Sequence, residues 1–292
     1  MSVLEVVKAA ERHLSDPAAD ALVRDIGIPP RPQILAALNQ ELALPDPNVN
    51  KVASIVASDV AMTAAVLRVA NSPAMGLSRR VETMGQALSM LGLKQVCVIV
   101  TGLVVRKVLR TDGPQLARFW DVSAKRAWAV SAMARRLKGV DVDVAQTFGL
   151  FCDVGIPLLM QRFPNYGKTL QACNMESERP FTAPEQQTHH TDHALIGALM
   201  ARSWNVSPTV CLAIRTHHDY DIFQDRRAPD AVVRLVAMGL VAEVAIQKFA
   251  RMNTSHEWQK GHDGALGALM LSDNDAEEWI ERLVDGFSEG MA

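Results

Sequence analysis

The sequence has few of the features that mark secreted, disulfide-bonded or nucleic-acid-binding proteins. Only four of its 292 residues are cysteine, and Cys97, Cys152, Cys173 and Cys211 show no paired spacing. They predict buried free thiols in a reducing compartment, and neither a disulfide framework nor a Cys-x-x-Cys zinc site. A net charge of −2 gives no general attraction to nucleic acid or to anionic membranes, so nucleic-acid binding is not expected.

Long apolar runs and targeting signals are also missing. The longest apolar run, 96–105, is shorter than the roughly 20 residues that a membrane-spanning helix needs. The N-terminal residues Met1–Lys8 carry charge too early for a signal peptide. We therefore expect a cytoplasmic protein that does not enter a membrane.

The residues that are abundant favour helices. Apolar residues make up 49% of the chain and aromatic residues only 5%, while Ala, Leu, Val and Met are plentiful. Such side chains suit the i, i+3, i+4 stripe by which helices pack on one another. Strand-like alternation is nowhere sustained, so the sequence predicts an all-α fold.

Local signals place several of these helices. Apolar spacing predicts a helix at 33–42, Asn48 and Asp59 are candidate N-caps, and Thr83 with Gln86 forms a candidate capping box. Longer helices are expected at 115–137, 142–162, 192–204, 208–218, 229–251 and 275–286. Because a Gly113-Pro114 break precedes them, we expect two sub-bundles, 1–112 and 113–292. The polar stretch 173–191 is predicted to be a connecting loop, with or without a short helix.

An ordered set of short motifs runs through most of the chain. The first half has Pro29-Pro30-Arg31-Pro32, Asp59 before Met62-Thr63, Leu67–Ser72 and Ala87–Gly92. The second half has Phe119-Trp120, Ser123, Gly149–Gly155, Glu185, His193, Gly197, Trp204 and His217-His218. Over about residues 25–250 the chain resembles the HDOD domain (HD-related output domain) of bacterial signalling proteins. The resemblance implies an all-α fold, with an N-terminal helical bundle before a bundle related to HD-domain phosphohydrolases.

The same resemblance implies where a metal site would lie. The related HD-GYP hydrolases, which cleave cyclic dinucleotides, use ligands in the order His, His-Asp, His, His-His, Asp. Here the first position falls at about Val122, the His-Asp pair on Cys152-Asp153, and the final aspartate near Met238. The remaining positions fall on His193 and on His217-His218. Val122 and Met238 cannot coordinate a hard cation.

Asp153, His193, His217 and His218 therefore remain as a vestigial metal half-site. Imidazole and carboxylate groups are metal ligands, but water attack on phosphorus needs ions that polarise the phosphoryl oxygens and activate a water. We favour the interpretation that these four side chains hydrogen-bond to one another and to helix ends. A single bound divalent metal ion without catalysis is the first alternative, and hydrolysis is the second. No other cofactor is expected.

Two further candidates lie close by in the sequence. Cys152 as a nucleophile would need a positioned base, which the sequence does not supply, and its apolar surroundings favour the neutral thiol. His189 and His190 precede His193 and could capture a transition metal, although a solvated loop is the favoured interpretation.

Surface features suggest where partners could bind. The turn 71–77 exposes Met75 and Leu77 as a candidate docking spot, although Asn71 closing a helix is the favoured interpretation. Trp258 and Trp279 could pack the C-terminal region onto the second bundle or form a homodimer contact.

Together these observations predict a non-catalytic bacterial signalling protein that acts as a binding or scaffolding module. We expect its partner to be another signalling protein, and a nucleotide-like small ligand is a further option. The alternative is a divergent metal-dependent phosphohydrolase of HD or HD-GYP type, acting on a nucleotide or phosphodiester.

Overall fold

The computed structural model describes residues 17–72, 80–109, 114–252 and 255–289. No β-strand occurs in these ranges, and the predicted all-α fold is confirmed. The α-helices, in chain order, are α1 Pro17–Ile26, α2 Gln33–Leu42, α3 Val49–Ala57, α4 Val60–Ala70, α5 Met84–Leu91, α6 Leu93–Val108, α7 Pro114–Leu137, α8 Val142–Phe151, α9 Gly155–Arg162, α10 Tyr166–Met175, α11 Ala183–His189, α12 His193–Ser203, α13 Pro208–Thr216, α14 Asp230–Phe249, α15 His256–Leu269 and α16 Asp273–Ser288. A short 3₁₀ helix, Tyr220–Gln224, follows α13.

The chain divides into two compact units. The first unit lies within residues 29–110 and contains α2–α6, and the second contains α1 together with α7–α16. Helix α1 thus belongs with the later helices, whereas the sequence pattern grouped residues 1–112 together. Its neighbours are α9 and α12, and the Arg162 side chain of α9 donates to the Asp25 carbonyl at 3.1 Å.

The N-caps predicted in the first unit are all present. The Asn48 side chain accepts from the backbone amides of residues 50 and 51, and the Asp59 side chain accepts from those of residues 61 and 62. Thr83 and Gln86 form the reciprocal capping box. These side chains satisfy amides that the first turn of a helix leaves without a partner, so each cap fixes where its helix begins.

Asn71 closes the end of α4. Its Nδ2 donates to the carbonyls of Leu67 and Val81 at 2.8 Å each, and its Oδ1 accepts from the Val81 amide at 2.7 Å. This geometry supports the helix-closing interpretation. Residues 73–79, with Met75 and Leu77, lie outside the described residues, so docking at that turn stays a prediction.

In the second unit, the helix predicted over 142–162 is interrupted at residues 152–154, between α8 and α9. By length and mean hydropathy (1.4), Val142–Arg162 alone among the described helical stretches could cross a membrane as one segment, and 56% of that window is buried within the protein. Two sharply bent helix pairs in the first unit, α3 with α4 and α5 with α6, pass the same test when each pair is combined. The interruption at 152–154 carries Asp153, whose surroundings are described below.

The C-terminal helices pack onto α14 by side chains that the sequence pattern did not single out. Helix α16 buries Ile280, Leu283 and Phe287. The Phe287 ring lies 5.6 Å from that of Trp128 and 5.7 Å from that of Phe249. Trp258 and Trp279 are half-buried, whereas Phe287 is buried. A homodimer contact through either tryptophan stays a prediction.

All four cysteines are free and buried, as predicted. Burial raises the pKa of the Cys97 and Cys211 thiols to about 11 and that of Cys173 to about 12. These three thiols are therefore neutral at physiological pH.

Candidate metal-binding cluster

The four predicted ligands come together in the second unit. One ligand atom each from Asp153, His193, His217 and His218 lies within 4.8 Å of the other three. Asp153 sits in the interruption between α8 and α9, and His193 is the first residue of α12. His217 and His218 follow the end of α13. Residues separated by up to 65 positions therefore meet at helix ends, where side chains can converge.

Two glycines allow the helices to approach this closely. A Cβ atom on Gly149 would lie 2.6 Å from the Cα atom of Ala127 on α7. A Cβ atom on Gly155 would lie 2.1 Å from the His193 carbonyl oxygen on α12. Any larger residue would push the backbones apart, so the two glycines hold Asp153 between α7 and α12.

The Nε2 atoms of His193 and His217 lie close to each other and to Asp153 Oδ1. His193 Nε2 and His217 Nε2 are 3.3 Å apart. Asp153 Oδ1 lies 3.3 Å from His217 Nε2 and 3.7 Å from His193 Nε2. Such separations leave room for a proton or a small ion between the ligand atoms, but not for another side chain.

The other ring nitrogen of each histidine is held by an acceptor. His193 Nδ1 lies 2.7 Å from Glu185 Oε2, and His217 Nδ1 lies 2.6 Å from the Ile214 carbonyl oxygen. His218 Nδ1 lies 2.7 Å from Glu257 Oε2. Because these partners only accept, each Nδ1 carries the hydrogen and each Nε2 of a neutral ring is left with its lone pair. This is how metal-binding histidines are held in proteins, so the four ligands fit one metal ion.

Each supporting carboxylate is itself held by a tyrosine. The Tyr166 hydroxyl donates to Glu185, and the Tyr220 hydroxyl donates to Glu257 at 2.8 Å. Burial, followed by the neighbouring carboxylate, raises the pKa of both tyrosines well above its ordinary value, so both stay donors. The sequence motifs included Glu185 without giving it a role, and they did not identify Glu257. A metal-binding histidine needs an acceptor for its Nδ1 hydrogen, so a nearby carboxylate could have been expected. Sequence spacing does not identify which carboxylate this is.

Arg126 is the most important residue that the sequence pattern did not reveal. It lies on α7, is only 8% exposed, and donates from Nη1 to Asp153 Oδ2 at 2.6 Å. Its Nη2 donates to Glu243 of α14 at 2.7 Å. Burial would raise the pKa of Asp153, but the Arg126 charge and the His217 hydrogen bond outweigh it and hold that pKa well below its usual range.

The two oxygens of Asp153 therefore face different cations. Oδ1 faces the histidines, whereas Oδ2 is taken by the Arg126 guanidinium. Arg126 lies four residues after Val122, on the same face of α7, and Met238 on α14 is fully buried. A second metal ion at Asp153 Oδ2 would meet the Arg126 guanidinium. The residues present do not fit a second ion.

The remaining sequence candidates stay outside the cluster. His189 Nε2 lies 2.9 Å from Thr169 Oγ1, and its ring stacks on Phe163 at 4.4 Å. His190 ends α11 in the left-handed conformation, with φ of 56°. The predicted loop over 173–191 is in part helical, since it contains α11 and the end of α10. His189 and His190 do not join His193 in a metal site.

The pKa values of His217 and His218 are shifted in opposite directions. Burial, followed by the charge of the neighbouring His217, lowers the pKa of His218 to about 4. Burial also acts to lower the pKa of His217, but Cys152 and Asp153 outweigh it and raise that pKa well above 6.5. A protonated His217 would lie beside Asp153, whose Oδ1 is 3.3 Å from its Nε2.

Comparisons with known proteins agree with this architecture. The family model described as the HDOD domain matches residues 28–220. An uncharacterized protein of Treponema pallidum (strain Nichols) is 22% identical over 234 residues, which are 79% of this chain, and the chain spans only 44% of that relative's length.

Solved structures share the fold. A candidate phosphohydrolase from Shewanella amazonensis SB2B matches with a TM-score of 0.70 and 24% identity, over 93% of this chain and 96% of its own. A candidate signal transduction protein from Marinobacter aquaeolei VT8 matches with a TM-score of 0.73 and 20% identity, over 95% and 63%. An HDOD domain protein of unknown function from Geobacter sulfurreducens matches with a TM-score of 0.67 and 21% identity, over 96% of both chains.

Proposed function

The chain belongs to the HDOD domain family, and we propose that it is a non-catalytic regulatory protein that acts by binding another signalling protein. Its cleft, in this proposal, holds at most one divalent metal ion and does not hydrolyse phosphoesters. The ion would be held by Asp153, His193, His217 and His218, whose ligand atoms converge.

The observation that carries this proposal is the Arg126 guanidinium bound to Asp153 Oδ2. Metal-assisted hydrolysis at a paired-ion centre needs one ion to activate water and another to stabilise the leaving oxygen. An arginine supplies positive charge but cannot bind and deprotonate a water. Because Arg126 is also paired with Glu243, the guanidinium is held in place and keeps Asp153 Oδ2 from a second ion.

A single ion would supply Lewis acidity and charge neutralisation at Asp153 Oδ1. In a regulatory protein, the residues around the ion would stabilise the structure and would not take part in catalysis. They join the ends of α9, α12 and α13, so ligand binding to the folded form stabilises that arrangement by mass action. The shape and stability of the second unit would then depend on whether the cleft holds an ion. A partner protein could respond to that difference.

Hydrolysis assays test the proposal. The full chain would be incubated with Mn²⁺, Fe²⁺ or Zn²⁺ and with a phosphodiester, a cyclic dinucleotide or a nucleoside triphosphate. We expect no turnover above that of Asp153→Ala and Arg126→Met controls. Metal-dependent hydrolysis that disappears in the Asp153→Ala variant would contradict the proposal.

A divergent phosphohydrolase is the second candidate function, favoured by the three Nδ1-bound histidines. Elemental analysis of the purified chain separates the two functions. One ion or none per chain favours the regulatory protein, whereas two tightly held ions would favour the enzyme. A nucleotide-like ligand bound without turnover would fit the regulatory protein.

The location and partners belong to the same proposal. We place the protein in the bacterial cytoplasm and expect capture of a signalling protein from native lysate, with homodimerisation as the alternative mode of association. Size-exclusion chromatography with light scattering distinguishes a homodimer from a monomer that binds a different protein.

A further inference from the structure

Helix α15 lies beyond the family match, which ends at residue 220, yet it reaches the histidine cluster. Glu257 stands in the first turn of this helix, and its side chain is only 7% exposed. A buried carboxylate is stable only when hydrogen-bond donors surround it, and Glu257 has such donors.

Three side chains donate to Glu257. His218 Nδ1 lies 2.7 Å from Oε2, and the Tyr220 hydroxyl donates to the same oxygen at 2.8 Å. Lys260, one turn further along α15, donates to Oε1 at 2.7 Å. The same lysine donates to the Arg179 carbonyl oxygen at 2.7 Å. Glu257 is thus fixed from both sides and cannot rotate away from His218.

The bond to Glu257 determines which nitrogen of His218 faces the cluster. A carboxylate paired with lysine and tyrosine accepts hydrogen bonds, so the hydrogen of His218 belongs on Nδ1. The lone pair then belongs to Nε2, in a ring whose centroid lies 5.0 Å from that of His193 and 4.0 Å from that of His217. Phe181 stacks on the His218 ring, with centroids 4.5 Å apart and planes 11° from parallel, and fixes the ring plane.

We propose that Glu257 is a positioning residue of the one-ion site, which holds His218 as the Nδ1–H tautomer and aims its Nε2 at the metal ion. The inference rests on the one-ion site proposed above. It makes helix α15, outside the matched family region, a functional part of the cleft. Acceptors of this kind typically change metal affinity by about 10- to 100-fold.

Zinc affinity of the full chain, measured by competition with a chromophoric chelator, tests this inference. We expect Glu257→Ala to weaken Zn²⁺ binding by about 100-fold and Glu257→Gln by about tenfold, since the amide oxygen of glutamine can still accept from Nδ1. Glu277→Ala, an exposed acid on α16, is the matched control and should bind as the wild type does. Wild-type affinity in Glu257→Ala would overturn the inference and leave the one-ion site intact. If the wild-type chain bound no Zn²⁺, the one-ion site itself would fail, and the inference with it.

A second measurement needs no metal, and its decisive outcome comes from the wild-type chain. Long-range proton–nitrogen NMR spectra of the metal-free wild-type chain report the tautomer of His218 directly. We expect the Nδ1–H form in the wild type, and a shift towards Nε2–H in Glu257→Ala but not in Glu277→Ala. The Nε2–H form in the wild-type chain would overturn the inference whatever the metal affinity.

Discussion

The two units are both helical but differ sharply in composition. All 15 aromatic residues and all eight histidines of the chain lie outside residues 29–110. The first unit is therefore built from aliphatic side chains, whereas the second packs rings such as Trp204, Phe148 and Tyr166 in its core. Without imidazoles, the first unit has no basis for a histidine metal site.

They also differ in how they bury charge. Among the described residues, Glu41 is the buried polar or charged side chain of the first unit, while the second unit buries thirteen, including Arg126, Glu185, His193 and Glu257. A buried charge is tolerated only when it is paired and hydrogen-bonded. In the second unit, Arg126, Glu185 and His193 meet that condition in one connected network around Asp153, which can respond to an ion. The first unit depends on local helix caps, which cannot respond to an ion in this way.

Replacing Arg126 with methionine should produce the largest effect and should be confined to the second unit. The change keeps the side-chain volume but leaves Asp153 and Glu243 without their shared cation, which should cost about 3–5 kcal/mol of unfolding free energy. All five tryptophans lie in the second unit, so urea unfolding followed by tryptophan fluorescence measures it selectively.

The exposed Arg282→Met is the matched control, since its weak surface pair should contribute under about 1 kcal/mol. Equal stability of the Arg126→Met and Arg282→Met variants would mean that the network does not hold the second unit together.

Acid should destabilise the second unit through its depressed pKa values, among them those of His218 and Glu257. Burial lowers the pKa of His218 to about 4, against an ordinary value of 6.5. Burial would raise the pKa of Glu257, but the hydrogen bond from His218 holds it at about 2, against an ordinary 4.5. Since both folded-state values lie below the unfolded ones, stability is lost as the pH falls, from 6.5 to 4 for His218 and from 4.5 to 2 for Glu257.

His217 acts in the opposite sense, because its raised pKa contributes stability below about pH 6.5 that is lost as the pH rises through its folded value. It therefore does not offset the loss below pH 4.5. We expect about 2–3 kcal/mol to be lost between pH 4.5 and 2, measured by tryptophan fluorescence in urea. Glu257→Gln should have a flatter profile in that window, and an unchanged slope would count against the assignment of Glu257.

Replacing Asn71 with alanine should have the smallest effect and should be confined to the first unit. It removes three hydrogen bonds that join the end of α4 to Val81, at a cost of about 1–2 kcal/mol. Hydrogen exchange should increase in residues 60–72 and 80–109, while the tryptophan fluorescence transition stays unchanged. The exposed Asn50→Ala is the control, and a shift of the fluorescence transition would show that the two units do not unfold separately.

Much of this molecule could be predicted because local chemistry determines it. Helix α2 lies where the apolar spacing placed it, and the Asn48, Asp59 and Thr83 caps depend on neighbours within three residues. The order of Asp153, His193, His217 and His218 likewise indicated which residues would meet.

The parts that were missed depend on residues far apart in the chain. The break at 152–154 lies between Gly149, which approaches α7 closely, and Gly155, which approaches α12, and periodicity does not reveal such contacts. The grouping of α1 with the second unit depends on its contacts with α9 and α12 in the same way.

The sequence determined many of the helices and their caps, because these depend on residue type and short spacing, and the family resemblance indicated the four residues that could bind an ion. Only the tertiary structure decided what surrounds those four residues. Arg126 reaches Asp153 from 27 positions away and Glu257 reaches His218 from 39, and such pairings arise only when helices pack. The physical reason is that a buried charge must find a partner in space, and its neighbours in space are not its neighbours in the chain.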